Sequence, residues 1–390
     1  MIEGKVFMKE LSAATRLSGS GIRRMFDLSR GMTDVISFIL GEPGFDTPKP
    51  IVEAAKRALD EGKTHYTDNA GILPLREAIC ESLVPEGVQY APDEIMVCTG
   101  AMQAIYLTMA VLLNPGDEVL ISDPCYANYY GQVAMNYGVP VPVPTYEKDG
   151  FCLTRENLLS KLSPKTKAIL INSPNNPTGA MYSRESLGEI ADLCREYDLY
   201  LIYDAVYKHL VYDGAEFVNI AAMEGMHERT IYIDSFSKTY AMTGWRLGYL
   251  AGPREIVSLM PKLQEFMPSC ISTFTQYAGI EALRACEQDI ARMRSAYEDS
   301  RRVLLERILA IPGLACSSPN GAFYAFVNIA QSGMTSQDFA EQLLRRQRVV
   351  LAPGTAFGRM GEGYVRISYA TDPDSISKGM DRLDRFMRSL

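Results

Sequence analysis

Short apolar runs, separated by turn-forming residues, organise most of the chain. Glu94–Cys98 (EIMVC) is the first, and Thr99-Gly100 break it before Ala101–Leu113, which reads as an apolar helix. Glu118–Ser122 (EVLIS) is stopped by Asp123-Pro124, and Val139–Val143 follows. Lys167–Ile171 (KAILI) ends in the turn-rich NSPNNPTG. Leu199–Tyr203 (LYLIY), Thr230–Ile233 (TIYI) and Arg246–Ala251 (RLGYLA) complete seven runs. Between them lie helical stretches such as Arg184–Glu196, which places Leu187, Ile190, Ala191 and Cys194 on one face. Continuous apolar strands alternating with helices predict a mostly parallel sheet covered on both sides.

The pattern changes after residue 280. A long helical stretch runs to 311, with Ala282, Leu283, Ile290, Met293, Tyr297, Val303, Leu304 and Ile308 as its candidate core. A strand pattern at Gly321–Val327, a helix near Gln337–Gln347, short strands at Val349–Leu351 and Tyr364–Tyr369, and a last helix follow. The expected fold class is therefore α/β: a large domain with a mostly parallel seven-stranded sheet, and a smaller α+β domain. The boundaries read as 1–44 for an irregular N-terminal arm packing with the small domain or reaching a partner, 45–280 for the large domain, and 281–390 for the small one. A length of 390 residues suits two cores better than one.

Composition narrows the classes without choosing a function. With 47% hydrophobic and 22% charged residues the chain is globular, and its net charge of −8 argues against general binding of polyanions. A local basic site for one phosphate remains open. The N-terminus has no signal-like apolar segment, and no stretch nears the ~18 apolar residues of a membrane span, so a cytoplasmic protein is expected. None of the eight cysteines forms a C-x-x-C pair, and most read as small buried hydrophobes. The three histidines are scattered, so no metal is expected.

The strand ends carry the candidate chemistry, because open α/β sheets bind ligands outside the carboxyl ends of their strands. The Thr99-Gly100-Ala101-Met102 turn opens a helix whose free amides suit a phosphate. Other strand ends supply Tyr126, the Asn175-Asn176 turn, Asp204 and Tyr207, and Ser235, Ser237 and Lys238, with Arg246 eight positions on. A pyridine-ring cofactor with a phosphate tail asks for that set. A lysine forms an imine with an aldehyde, and a carboxylate keeps a ring nitrogen protonated so that the ring draws electrons. A phenol and an amide bond the ring oxygen, while arginine and hydroxyls grip phosphate. Blander readings stand beside these: Asp204 could cap a helix, Arg246 could make a structural ion pair, and Tyr129 and Tyr130 compete with Tyr126 for a stacking place.

SFSKTYAMTGWRLGY at 235–249 makes the pattern specific, supported by NNPTG at 175–179, YDAVY at 203–207, LGEPGFDTP at 40–48 and YVRIS at 364–368. In these motifs, over nearly its whole length, the chain resembles the class I/II aminotransferases, the aspartate-aminotransferase family of fold-type I pyridoxal-phosphate enzymes. The resemblance implies pyridoxal 5'-phosphate held as a Schiff base by Lys238, which would also shuttle the substrate proton. Asp204 would pair with the ring nitrogen, Asn176 and Tyr207 would bond the ring oxygen, and Tyr126 would stack on the ring. Ser235, Ser237, Arg246 and the amides of Ala101 and Met102 would hold the phosphate. Arg366 would grip the substrate carboxylate, helped by Gly41 and Asn176. Tyr66 would reach the phosphate of a neighbouring subunit, making a homodimer part of the site. Many relatives place a hydroxyl where this chain has Met102, so backbone donors would carry more of the phosphate here.

The expected activity is transfer of an amino group between a 2-amino acid and a 2-oxo acid by a ping-pong mechanism, with aspartate or an aromatic amino acid as substrate. A β-lyase or synthase on the same scaffold would share these motifs. A non-catalytic pyridoxal-phosphate sensor is the rival from another class. Such regulators usually append a DNA-binding helix pair, whereas about 44 residues without a clear basic helix pair precede the large domain here.

Overall fold

A computed structural model of the chain describes residues 21–390. Seven strands form one sheet: β1 (Ile95–Cys98), β2 (Glu118–Asp123), β3 (Val139–Pro144), β4 (Thr166–Asn172), β5 (Tyr200–Asp204), β6 (Thr230–Ser235) and β7 (Gly248–Ala251). Their spatial order is β1-β7-β6-β5-β4-β2-β3. All neighbours are parallel except β7, which runs antiparallel to both β1 and β6. The central strands are buried along their length, which is why they read as continuous apolar runs. β3 (VPVPVP) sits at the edge, where its prolines withhold no ladder bond from an inner strand.

Helices cover both faces. One face buries Leu187, Ile190, Leu193 and Cys194 of the helix Arg184–Glu196. Ser183 starts that helix by accepting the Ser186 amide. The other face packs the helix Gly100–Leu112 against β6 and β7 through Ala104, Ile105 and Leu107.

A second core lies around an antiparallel sheet of β8 (Ala315–Cys316), β9 (Tyr324–Asn328), β10 (Ala352–Pro353) and β11 (Tyr364–Ser368), in the order β10-β11-β9-β8. The long helix Glu287–Ala310 contributes Met293, Tyr297, Leu304 and Ile308 to it, while Leu283, Ile290 and Val303 are only partly buried.

Three differences from the sequence reading have physical causes. The N-terminal arm is not wholly irregular: Gly21–Ser29 is a two-turn helix that buries Met25 in the second core, and Ile36–Ser37 pairs with Val349–Val350. Residues 1–20 of that arm lie outside the described residues. The strand expected from Gly321 begins at Tyr324, since Ala322 is left-handed (φ 58°). Likewise β7 begins only at Gly248, because Arg246 is left-handed (φ 55°) and turns its side chain away from the ladder. Of the cysteines, Cys98, Cys125, Cys194 and Cys286 are buried and the other four are half-buried.

Candidate active site

A cavity of about 400 Å³ opens where the strand ends of the large sheet face β9 and β11. Ala101, Met102, Tyr126, Asn176, Asp204, Tyr207, Ser235, Ser237, Lys238, Arg246, Gly41 and Arg366 all line it. Residues separated by more than 300 positions therefore share one wall. Tyr66 is the exception: it is 89% exposed and lies outside this cavity.

Lys238 sits on a single helical turn, Phe236–Thr239, started by Ser235, whose hydroxyl accepts the Ser237 amide. The Lys238 Nζ donates to the Gly41 carbonyl at 2.5 Å. Burial lowers its pKa to about 8; Arg366 and Arg246 push the same way, against the carboxylates of Glu42 and Asp204. Near neutral pH far more of this amine than of an ordinary lysine is thus uncharged and free to attack a carbonyl.

Asp204 ends β5 and is 4% exposed. Burial raises its pKa to about 6, opposed by the Tyr129 phenol that donates to it at 2.6 Å. Asn172 holds the strand end in place, donating to the Asp204 carbonyl at 2.9 Å and accepting the Asn176 amide at 2.8 Å. A buried carboxylate in this state gains from a cationic partner such as a protonated pyridine nitrogen.

The phosphate-suited corner is built by glycines. Gly100 is left-handed (φ 70°) at the start of the helix Gly100–Leu112, and a Cβ there would lie 2.7 Å from the Arg246 guanidinium. A Cβ on Gly248 would lie 2.8–2.9 Å from the Gly100 and Ala101 backbone. These absences let Arg246 lie against the helix N-terminus, beside Ser235 and Ser237.

Arg366 on β11 is 2% exposed. It donates to Asn176 Oδ1 (2.9 Å) and to the Ile39 carbonyl (2.6 Å), and its guanidinium lies over the Tyr324 and Phe357 rings at 4.4 and 4.8 Å. No carboxylate pairs with it among the described residues, and its Nε is buried without a partner. Burial accordingly lowers its pKa. A guanidinium desolvated in this way is primed for a bidentate carboxylate.

Several neighbours were not singled out from sequence. Tyr324 shares a hydrogen bond with Tyr207 (2.9 Å), and its phenol fills the space beside Gly41. Tyr129 holds Asp204 rather than offering its face to a ring, while Tyr126 lines the cavity and meets Tyr129 edge-on. Glu42 accepts from Thr243 at 2.6 Å. From sequence Tyr129 stood only as a rival of Tyr126 for the stacking place, and nothing local marks Tyr324.

The chain matches the family described as aminotransferase class I and II over residues 33–383. It belongs to that family. Aromatic-amino-acid aminotransferase 2 of Thermococcus litoralis is 45% identical over 95% of this chain and 96% of its own. The aspartate aminotransferase of Pyrococcus abyssi is 46% identical over the same shares. Among solved structures, an aromatic aminotransferase from Pyrococcus horikoshii superposes with a TM-score of 0.90 at 45% identity, covering 94% of this chain and 99% of that one. The Thermus thermophilus aspartate aminotransferase with maleate gives 0.92 at 36% identity, covering 97% and 100%. The fold is that of the fold-type I aminotransferases, and the chain is a transaminase. A lyase, a synthase or a silent sensor is not favoured by these relatives.

Proposed function

We propose that the cavity binds pyridoxal 5'-phosphate and moves an amino group from a 2-amino acid to a 2-oxo acid in two half-reactions. The observation that carries this reading is the meeting of Lys238, Asp204 and Arg366 in one cavity. The cofactor supplies an aldehyde and an electron-withdrawing ring when bound. Lys238 would hold it covalently and, once released, would move the proton from the substrate Cα to the cofactor's C4′. Asp204, kept in place by Tyr129 and Asn172, keeps the ring nitrogen protonated. Asn176 and Tyr207 would bond the ring oxygen, and Tyr126 would stack on the ring. Ser235, Ser237, Arg246 and the Ala101 and Met102 amides bind the phosphate. Arg366 orients the substrate carboxylate, with Asn176 and Gly41 beside it.

Substrate choice follows from what remains. The cavity's lining cations among the described residues are Lys238, Arg246 and Arg366, and each already has a task. The rest of the mouth carries Ile22, Ile39, Leu40 and the acidic Glu42. This lining suits an aromatic or other apolar side chain better than a second carboxylate.

The active unit is a homodimer in the cytoplasm. Tyr66 (89% exposed) and Phe266 (78%) lie on segments joined by the Thr273 hydroxyl to His65 carbonyl bond (2.6 Å) and by Gln264 to the Asn69 carbonyl. An exposed aromatic face of that kind fits a second copy, into whose phosphate corner Tyr66 would reach. No described helix is long and apolar enough to cross a membrane. The chain divides as an arm over 1–44, a large domain over 45–280 and a small domain over 281–390.

Mixing the cofactor-loaded protein with single amino acids tests the reading. Tyrosine and phenylalanine should convert the visible cofactor absorbance to that of pyridoxamine phosphate, releasing the matching oxo acid, with higher kcat/KM than aspartate. A preference for aspartate would sink the side-chain reading. Conversion by no amino acid would sink the amino-transfer reading for this site.

A further inference from the structure

Behind the phosphate-suited corner lies a second cavity of about 540 Å³, on the other side of the β6 end. Ser235 lines both cavities, so the Asp234-Ser235 end of β6, paired with Tyr249 and Gly248 of β7, stands between them. Side-chain bonds add to that ladder. The Asp234 Oδ1 accepts the Ser235 amide at 2.6 Å. Its Oδ2 meets the Lys208 ammonium at 3.0 Å and accepts from the Tyr249 phenol at 3.1 Å. Lys208 also reaches Glu86 at 2.7 Å and lies 5.4 Å from the Tyr232 ring centroid. Lys208 and Asp234 are 6% and 5% exposed. Lys208 directly follows Tyr207, and Asp234 directly precedes Ser235. The pair therefore joins the ends of β5 and β6 one residue behind two cavity-lining groups.

We propose that the buried Lys208–Asp234 ion pair is a positioning device for the phosphate site, fixing the Ser235 amide and through it the Ser235 and Ser237 hydroxyls. The chain of contacts runs from Lys208 to the Asp234 carboxylate, to the Ser235 amide, and from the Ser235 hydroxyl to Ser237 at 2.9 Å (hydroxyl) and 3.1 Å (amide). A carboxylate gripped on both oxygens cannot rotate, so the amide and the hydroxyl that follow it keep one orientation. Without that grip, the two hydroxyls would sample positions that no longer converge on one anion.

This inference rests on the reading that Ser235 and Ser237 hold phosphate. Calorimetry on the cofactor-free protein measures it without turnover, using inorganic phosphate, pyridoxal phosphate and pyridoxal, which lacks the phosphate. Asp234→Ala should weaken inorganic phosphate and pyridoxal phosphate about tenfold, the scale of one lost positioned hydrogen bond, and leave pyridoxal unchanged. Asp234→Asn keeps one acceptor and gives up the ion pair, so it should weaken the two phosphate ligands about threefold. Should Asp234→Ala fail to fold, the asparagine variant carries the test alone. Phosphate affinities equal to the wild type in the folded variants would overturn the proposal, as would an equal loss of pyridoxal. A wild-type protein that binds no phosphate at all would instead overturn the reading of the site.

Discussion

Two buried lysines stand on either side of the β6 end and are treated in opposite ways. Lys208 has the carboxylates of Asp234 and Glu86 at 3.0 and 2.7 Å. Burial disfavours its charge, but Asp234, the neighbouring phenols and Glu86 outweigh that and leave its pKa raised well above the ordinary value. Lys238 has only a carbonyl in contact, and burial wins: its pKa falls to about 8. Two lysines thirty positions apart thus become a permanent cation and a nucleophile. The difference lies in their partners, since both are desolvated.

The sharpest way to break this contrast is to delete each lysine. Lys238→Ala should abolish turnover, with a loss of at least about a thousandfold, and should leave thermal stability unchanged or improved because a desolvated ammonium is removed. Lys208→Met should act chiefly on stability. It strands the buried Asp234 carboxylate beside the half-buried Glu86 and should cost roughly 3–5 kcal/mol of folding free energy, read by denaturant unfolding. Equal stability losses in the two variants would erase the contrast.

The next effect concerns Arg366, a buried cation that likewise has no acid partner among the described residues. Arg366→Lys keeps the charge but loses the planar fork, and kcat/KM for the amino-acid half-reaction should fall roughly 10–100-fold, mostly through KM. A fall in kcat with KM unchanged would place Arg366 elsewhere in the mechanism.

Asp204 supplies a pH test on the cofactor-free protein. Its pKa is raised from 3.8 to about 6 on folding, so the folded state holds its proton more tightly. Stability from this group is fully present below about pH 4 and is lost as pH rises to about 6. The loss should be about 3 kcal/mol by the size of the shift. Asp204→Asn should flatten that part of the profile. Lys238 works in the opposite window: with its pKa depressed to about 8, stability should rise between about pH 8 and 10.5 as the unfolded chain gives up its proton. Cofactor uptake should likewise quicken through pH 8 as the free amine appears. A profile unchanged by Asp204→Asn would show that this carboxyl is not desolvated.

The large sheet was legible because its buried strands are continuous apolar runs and each ends in a polar turn. All seven strands appear within about two residues of their sequence positions, the seventh starting late at the left-handed Arg246, and in the second sheet the left-handed Ala322 delays the strand expected from Gly321. The motif residues were legible for the same reason, since the fold delivers strand ends to one cavity. What escaped was support across the chain. Tyr324 reaches Tyr207 over 117 positions, and Lys208 reaches Glu86 over 122. Neither has a local pattern, because such contacts are fixed by packing of distant elements. The helix Gly21–Ser29 escaped for another reason: it is two turns long, and its burial of Met25 depends on the second core.

The most direct measurement is borohydride reduction of the pyridoxal-phosphate-loaded protein followed by peptide mapping. Reduction should fix the cofactor to Lys238 in the peptide spanning SFSKTYAMTGWR and leave Lys208 unmodified. Cofactor fixed to Lys208 or to any other lysine would contradict the assignment of Lys238 as the reactive amine.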